Sequence, residues 1–218
     1  MPVTFYFRNK RKKRLPARIK EPLLRPIEPN ITWSMDYMHD TLRSGKKIGS
    51  LNIIDDYNRE VMAISFDTSL PSARVVRELN QLVEWRGKPE RIRVDNGPEF
   101  IAETLKKWCA KNGVELSYIQ PGKPTQNSLI ERFNRTFRQE VLDCFMFNSA
   151  KELKVFAQAW MWIYNNERPH SALEYLTPRE FLLKYGKLKQ TQQIEFPTFQ
   201  QDNSSEFQWN SLVLNVAG

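Results

Sequence analysis

Three carboxylates, Asp36, Asp95 and Glu131, carry the chemical interest of this chain. Asp95 belongs to the stretch Val94-Asp95-Asn96-Gly97-Pro98-Glu99-Phe100. Arg91 to Val94 reads as a short strand with Ile92 and Val94 on one face, and Asn-Gly-Pro breaks the chain before a helix. A carboxylate at a strand end beside a tight turn can hold a cation over a sheet edge. Asp-Asn-Gly is also ordinary turn chemistry, so its companions decide the matter. Asp36 lies mid-strand, where a carboxylate costs free energy unless water, a cation or a metal meets it. By itself it reads equally as a solvent-facing residue. Glu131 shares one side of a long helix with Asn134, Arg135 and Arg138. Glu131 and Arg135 also fit a surface i, i+4 pair contributing about 0.2–0.5 kcal/mol.

If the strands of Asp36 and Asp95 are neighbours, the two acids stand side by side, and a helix packed on the sheet brings Glu131 to them. Three acids in contact cannot all stay ionised without cations. Two divalent ions about 4 Å apart would neutralise them and orient an attacking and a leaving oxygen around phosphorus. Oxygen ligands suit magnesium, with manganese as a substitute. Arg135 and Arg138 would then face phosphates.

The elements that must do this positioning follow from periodicity. Ile31, Trp33, Met35 and Tyr37 alternate with Thr32, Ser34 and Asp36, which predicts a strand with one apolar and one polar face. Ile48 to Asp55 and Val61 to Phe66 form two more strands around the turn Asp56-Tyr57-Asn58-Arg59. Asp55 and Asp56 read as capping or solvating that turn rather than binding metal. A helix from Pro71 to about Arg86, closed by Gly87, leads to the Asp95 strand. Another helix, from Glu99 to Asn112, is stopped by Gly113 before a fifth strand, Glu115 to Ile119; Glu99 reads as a helix-start residue.

The loop from Gln120 to Asn127 contains Pro121, Gly122 and Pro124 and is a real break. Beyond it a helix is predicted from Ser128 to Asp143, burying Ile130, Phe133, Phe137, Val141 and Cys144. A second spans Ala150 to Asn165, and Thr177-Pro178-Arg179-Glu180 caps a last one through Tyr185. The predicted organisation is a basic arm and Pro-rich linker over 1–30, a core over 31–145, and a helical extension over 146–186. A polar, loosely ordered tail covers 187–218.

Composition bounds the function classes. The chain has 218 residues, 40% of them hydrophobic, enough for one sizeable core. No apolar run spans a bilayer and no signal-peptide pattern opens the chain. Cys109 and Cys144 read as buried thiols of a reducing compartment, and two Cys with two distant His exclude a zinc finger. The net charge is +8, and its place matters more than its size. Eight basic residues and no acidic one lie between Arg8 and Lys20, including Lys10, Arg11, Lys12, Lys13 and Arg14. The remainder holds 25 basic and 25 acidic residues, so the arm carries the whole excess. A polyphosphate is its natural partner, and nucleic acid fits better than a membrane because no amphipathic apolar stripe accompanies the charge.

Several motifs together resemble one family. They are Trp33-Ser34-Met35-Asp36, Asn52-Ile53-Ile54-Asp55-Asp56, Arg93 to Phe100, Pro124-Thr125-Gln126-Asn127 and Glu131-Arg132-Phe133-Asn134. Tyr164-Asn165-Asn166-Glu167-Arg168-Pro169-His170 and Leu176-Thr177-Pro178 complete the set. From Leu15 to Lys184 the chain resembles the integrase-core transposases of bacterial insertion sequences, of the second-reading-frame type, in the retroviral-integrase-like superfamily. The 35 residues between Asp95 and Glu131 match that family's spacing.

The resemblance implies an α/β, ribonuclease-H-like fold: a mixed five-stranded sheet flanked by helices, with a C-terminal helical extension. It implies an Asp-Asp-Glu site of Asp36, Asp95 and Glu131 holding two Mg²⁺ ions, or Mn²⁺ in their place. The chemistry implied is nicking of DNA at element ends, then attack of the freed 3′ hydroxyl on another phosphodiester. DNA contacts are expected from the arm, from Lys123, Gln126 and Asn127 in the loop before Glu131, and from Asn134, Arg135 and Arg138. Related transposases carry an upstream helix-turn-helix region. Only its basic trailing edge is expected here, with the rest supplied by a separate or fused first-frame protein, or lost if the chain is a truncated copy. A homo-oligomer on DNA and a cytoplasmic, nucleoid-associated location are also expected. Two other readings use the same residues: a non-catalytic DNA-binding remnant or regulator, and a plain metal-dependent nuclease of the same fold.

Overall fold

The computed structural model describes residues 25–69, 71–120 and 124–186. Three strands, β1 (Thr32–Thr41), β2 (Lys47–Asp55) and β3 (Val61–Asp67), form an antiparallel meander. Helix α1 (Ser72–Arg86) then crosses over the sheet, which lets β4 (Arg91–Val94) pair parallel to β1. A second crossover, through α2 (Pro98–Ile101) and α3 (Glu103–Asn112), places β5 (Glu115–Tyr118) parallel to β4. The order across the sheet is β3-β2-β1-β4-β5, the mixed five-stranded arrangement that the sequence predicts. The later helices are α4 (Ser128–Phe137), α5 (Ala150–Asn166) and α6 (Pro178–Tyr185).

Both faces of the sheet are covered. On one, Trp33, Met35, Leu51, Ile53, Ile92 and Val94 pack with Val75 and Leu79 of α1, Phe100 of α2, and Leu105 and Trp108 of α3. On the other, Met38, Ile54 and Ile64 pack with Ile130, Phe133 and Phe137 of α4 and Leu153, Ala157 and Tyr164 of α5. The 3.6-residue spacing of these helical positions is what presents each row to the sheet. The predicted polar face of β1 is therefore not a solvent face. Thr32 and Ser34 are buried beneath it, because two helices rather than water cover that side.

Two helices differ from expectation. The one expected from Glu99 is broken at Ala102, whose ψ of 136° is extended backbone, so α2 and α3 are separate. The helix expected through Asp143 loosens after Phe137 into a π turn, Arg138–Leu142. Its wider turn shifts the phase of everything beyond it. Val141 stays buried, but Cys144 emerges exposed, which corrects the expectation of two buried thiols. Cys109 is buried as expected. At the chain's last described helix, Thr177 and Glu180 form the capping box that their spacing announces.

Candidate active site

Sheet register does the first part of the positioning. Ser34 pairs with Arg93 across the parallel β1–β4 ladder. The ladder ends at this pair; two residues further along each chain stand Asp36, still within β1, and Asp95, just beyond the end of β4, so both follow from the same end of the ladder. Side-chain alternation gives both the parity of Ser34 and Arg93, the face covered by α4.

Asn134 of α4 ties the helix to the sheet at this level. Its Nδ2 donates to Asp36 Oδ2 at 2.7 Å, and its Oδ1 accepts from Asn52 Nδ2 at 2.7 Å. Asn52 is the β2 residue paired with Asp36. The backbone N–H of Tyr37 donates to the other Asp36 oxygen at 2.9 Å. Burial nonetheless pushes the Asp36 carboxyl up to about 6, and the charges of Asp95 and Glu131 push the same way. The two donated hydrogen bonds oppose the rise without cancelling it. Both other acids thus act on Asp36 through space. Among the described residues, none of the three forms an ion pair with Lys or Arg.

Asp95 is held by its own turn. Its Oδ1 accepts from the Gly97 N–H at 2.9 Å. A Cβ on Gly97 would lie 2.9 Å from Asp95 Oδ1 and 2.9 Å from Glu99 Oε2. Its φ of −61° suits any residue, so what a side chain there would disturb is the placing of these two carboxylates. Glu99 sits in the first turn of α2, as its position predicts, and its carboxylate borders the Asp95 turn.

A divalent cation suits this donor set. The available ligands are carboxylate oxygens, and a partly buried carboxyl beside two further acids is stabilised in its charged form by a cation. Among the described residues no three Asp, Glu, His or Cys side chains close into a metal-holding group. Asp36, Asp95 and Glu131 share an electrostatic field without forming a cage.

The expected DNA contacts are placed unequally. Arg135 is exposed. Asn134 is buried and both ends of its amide are engaged within the protein. Helical phase gives it the same side as Glu131 but cannot say how deep that side lies. Arg138 is also partly committed, donating to the His39 carbonyl at 2.7 Å and lying 3.8 Å from Asp40 and 3.6 Å from Asp143. Gln126 accepts from the Gln120 N–H at 2.9 Å, and Asn127 is buried. Lys123 and the arm residues Lys10, Arg11, Lys12, Lys13 and Arg14 lie outside the described residues.

Asp55 and Asp56 cap their turn as expected but are buried, not solvated. Asp55 accepts from the N–H groups of Asn30 (2.8 Å) and Tyr57 (2.9 Å). Asp56 accepts from Ser34 Oγ (2.6 Å) and Arg93 Nη1 (2.6 Å). The residue that sequence reasoning missed is Asn52. Its signal was an amide in an otherwise apolar strand, on the face that Asp36 occupies.

The fold and the three-acid field define the class of protein: an integrase-type catalytic core. Models of the integrase core domain match residues 26–124 and, for a second model of that name, 112–178. The chain belongs to this integrase-core family, and its relatives include proteins of bacterial insertion elements. It is 40% identical over 178 residues to the insertion element IS407 uncharacterized 31.7 kDa protein of Burkholderia multivorans, a match covering 81% of this chain and 64% of that protein. It is 39% identical to the insertion element IS476 uncharacterized 39.2 kDa protein of Xanthomonas euvesicatoria, covering 82% and 51%. It thus spans half to two thirds of the length of these relatives. Among solved structures, the catalytic core of human T-cell leukemia virus 2 integrase in complex with magnesium superimposes with a TM-score of 0.56 at 21% identity. That match covers 72% of this chain and 99% of the other, and shows the shared ribonuclease-H-like fold.

Proposed function

We propose that this chain catalyses DNA cleavage and strand transfer, nicking element ends and joining the freed 3′ hydroxyl to another phosphodiester. The observation that carries the reading is the Asp36 carboxyl, raised by burial and by Asp95 and Glu131, with no cationic side chain paired to it among the described residues. Asp36, Asp95 and Glu131 would hold the divalent ions. Magnesium bound there would supply charge neutralisation and alignment of the attacking and leaving oxygens.

The remaining work falls to the chain's own residues. Asn134 and Asn52 fix the Asp36 carboxylate and keep α4 at its level on the sheet. Gly97 lets the Asp95 turn close tightly enough to hold that carboxylate. Arg135, exposed one turn beyond Glu131, meets phosphates of the incoming strand. DNA, element ends and target alike, is the partner, bound by a homo-oligomer together with a first-frame helix-turn-helix protein. The setting is cytoplasmic; no described helix is long and apolar enough to cross a membrane.

The test is a strand-transfer assay with labelled element ends and Mg²⁺ or Mn²⁺, comparing wild type, Asp95→Asn and an EDTA control. Joined products confined to wild type with metal support the reading. Cleavage without joining would make the protein a nuclease. DNA binding with neither activity, even after the first-frame protein is added, would make it a regulator.

A further inference from the structure

The motif Tyr164 to His170 has no part in the carboxylate site, yet it lines a separate cavity of about 140 Å³. That is about ten times the roughly 10–15 Å³ that one water requires. The cavity lies between the β2–β3 turn, α4 and the chain following α5. Three guanidinium groups line it, from Arg59, Arg132 and Arg168, together with His170, Tyr164 and Thr136. Only Arg168 is matched by an acid, Glu140, while its guanidinium also lies over the Tyr164 ring at 5.6 Å. The side chains of Arg59 and Arg132 have no ion pair among the described residues. The charges of Arg132 and Arg25 both reach Arg59, with Tyr164 and Asp56 acting the other way. His170 Nε2 is buried with no hydrogen-bond partner among the described residues.

So much like charge in one recess is unfavourable unless an anion enters it. Arg59 is held in this position by a left-handed backbone, φ 61°, at the tip of the turn, a conformation that non-glycine residues seldom adopt. The recess is also well placed. Arg132 follows Glu131 on α4, and Ile54 in the cavity wall lies two residues along β2 from Asn52, or about 7 Å. Successive phosphates of one DNA strand advance about 3.4 Å along the helix axis.

We propose that this cavity is a binding site for a single phosphate group, and that its occupant is a DNA backbone phosphodiester a few nucleotides from the one being cut. The proposal deepens the strand-transfer reading and rests on it for the identity of the occupant. Arg59 and Arg132 supply the charge, and His170, Tyr164 and Thr136 supply hydrogen bonds to the phosphate oxygens. The site reads no sequence; it fixes the register of the strand against the carboxylates.

The test omits divalent metal, so it does not depend on catalysis. In one arm, inorganic phosphate at about ten times its dissociation constant, with ionic strength matched by chloride, raises the wild-type Tm by about 3–6 °C. The shift is lost in R59Q/R132Q and reduced in R132Q alone, a variant at an exposed helix position that tolerates the change. In the other arm, duplex DNA binding is followed by anisotropy across salt. The double variant binds all sequences about tenfold more weakly, and its log–log salt slope is smaller by about 1, whereas Asp95→Asn keeps the wild-type slope. Loss of the phosphate shift with an unchanged DNA slope overturns DNA as the occupant. Persistence of the phosphate shift in the double variant overturns the site. Strand transfer that fails in every protein while both arms succeed would sink the catalytic reading and leave the phosphate site standing.

Discussion

Two acidic neighbourhoods occupy one sheet, and they are solved in opposite ways. At the β2–β3 turn, every acid has a fixed donor. Glu60 receives both arms of the Arg86 guanidinium, at 2.9 and 2.7 Å, Asp56 receives Arg93 and Ser34, and Asp55 receives two backbone N–H groups. At the β1–β4–α4 junction Asp36 and Asp95 also accept hydrogen bonds, but among the described residues no arginine pairs with them, and Asp95 and Glu131 lie in the field of Asp36. Burial raises Asp55 and Asp36 alike to about 6, but the neighbouring charges differ in sign. Arg86 pulls Asp55 down against the smaller push of Glu60, whereas Asp95 and Glu131 both push Asp36 up. Acids matched by an arginine hold the fold together; acids given only neutral donors beside further acids are placed where a cation from outside fits.

Breaking the first arrangement has the largest expected effect. Arg86→Met leaves Glu60 buried and unpaired and should cost about 3–5 kcal/mol in urea unfolding. Adding Glu60→Leu should recover most of that loss, because the stranded charge disappears. A mild single-variant phenotype would mean that water reaches the pair.

Asp36→Asn should act in the other direction. A carboxyl raised from 3.8 to about 6 favours the folded state fully below pH 4, and that contribution is lost as pH rises through 6. Metal-free wild type should therefore lose stability between pH 4 and 6, and Asp36→Asn should be more stable above pH 6 by up to about 3 kcal/mol. Asp55 titrates over the same window, so the variant's profile should flatten without becoming level. A pH profile identical to wild type would remove Asp36 from the strained set.

Asn134→Ala should cost about 1–3 kcal/mol, since it strips a donor from Asp36 and an acceptor from Asn52. Metal affinity should fall with it, through the loosened Asp36 carboxylate. Thr177→Ala, at the α6 cap and remote from both neighbourhoods, should cost only about 1 kcal/mol and leave metal affinity unchanged.

Much of this contrast was legible in the sequence, for reasons that particular residues make clear. The strand alternation around Asp36 and the turn after Val94 set the two acids on or beside sheet strands, while the adjacency of β1 and β4 was a condition that only their parallel pairing meets. Depth was harder to read. Periodicity assigned Asn134 to the side of Glu131 without revealing that this side lies against Asn52. It treated the turn beyond Phe137 as regular helix and so buried Cys144. Asp55 and Asp56 looked like solvated turn residues because their partners, Asn30 and Arg93, are distant in sequence. The Arg59 recess carried no local signal at all, since its three guanidinium groups come from segments more than thirty residues apart.

The most direct measurement is Mn²⁺ binding by isothermal calorimetry near pH 7, on wild type, Asp36→Asn, Asp95→Asn and Glu131→Gln. Saturable binding to wild type, weakened at least about tenfold in each variant, is the predicted result. Undiminished binding in all three would contradict the assignment of these carboxylates as the cation site.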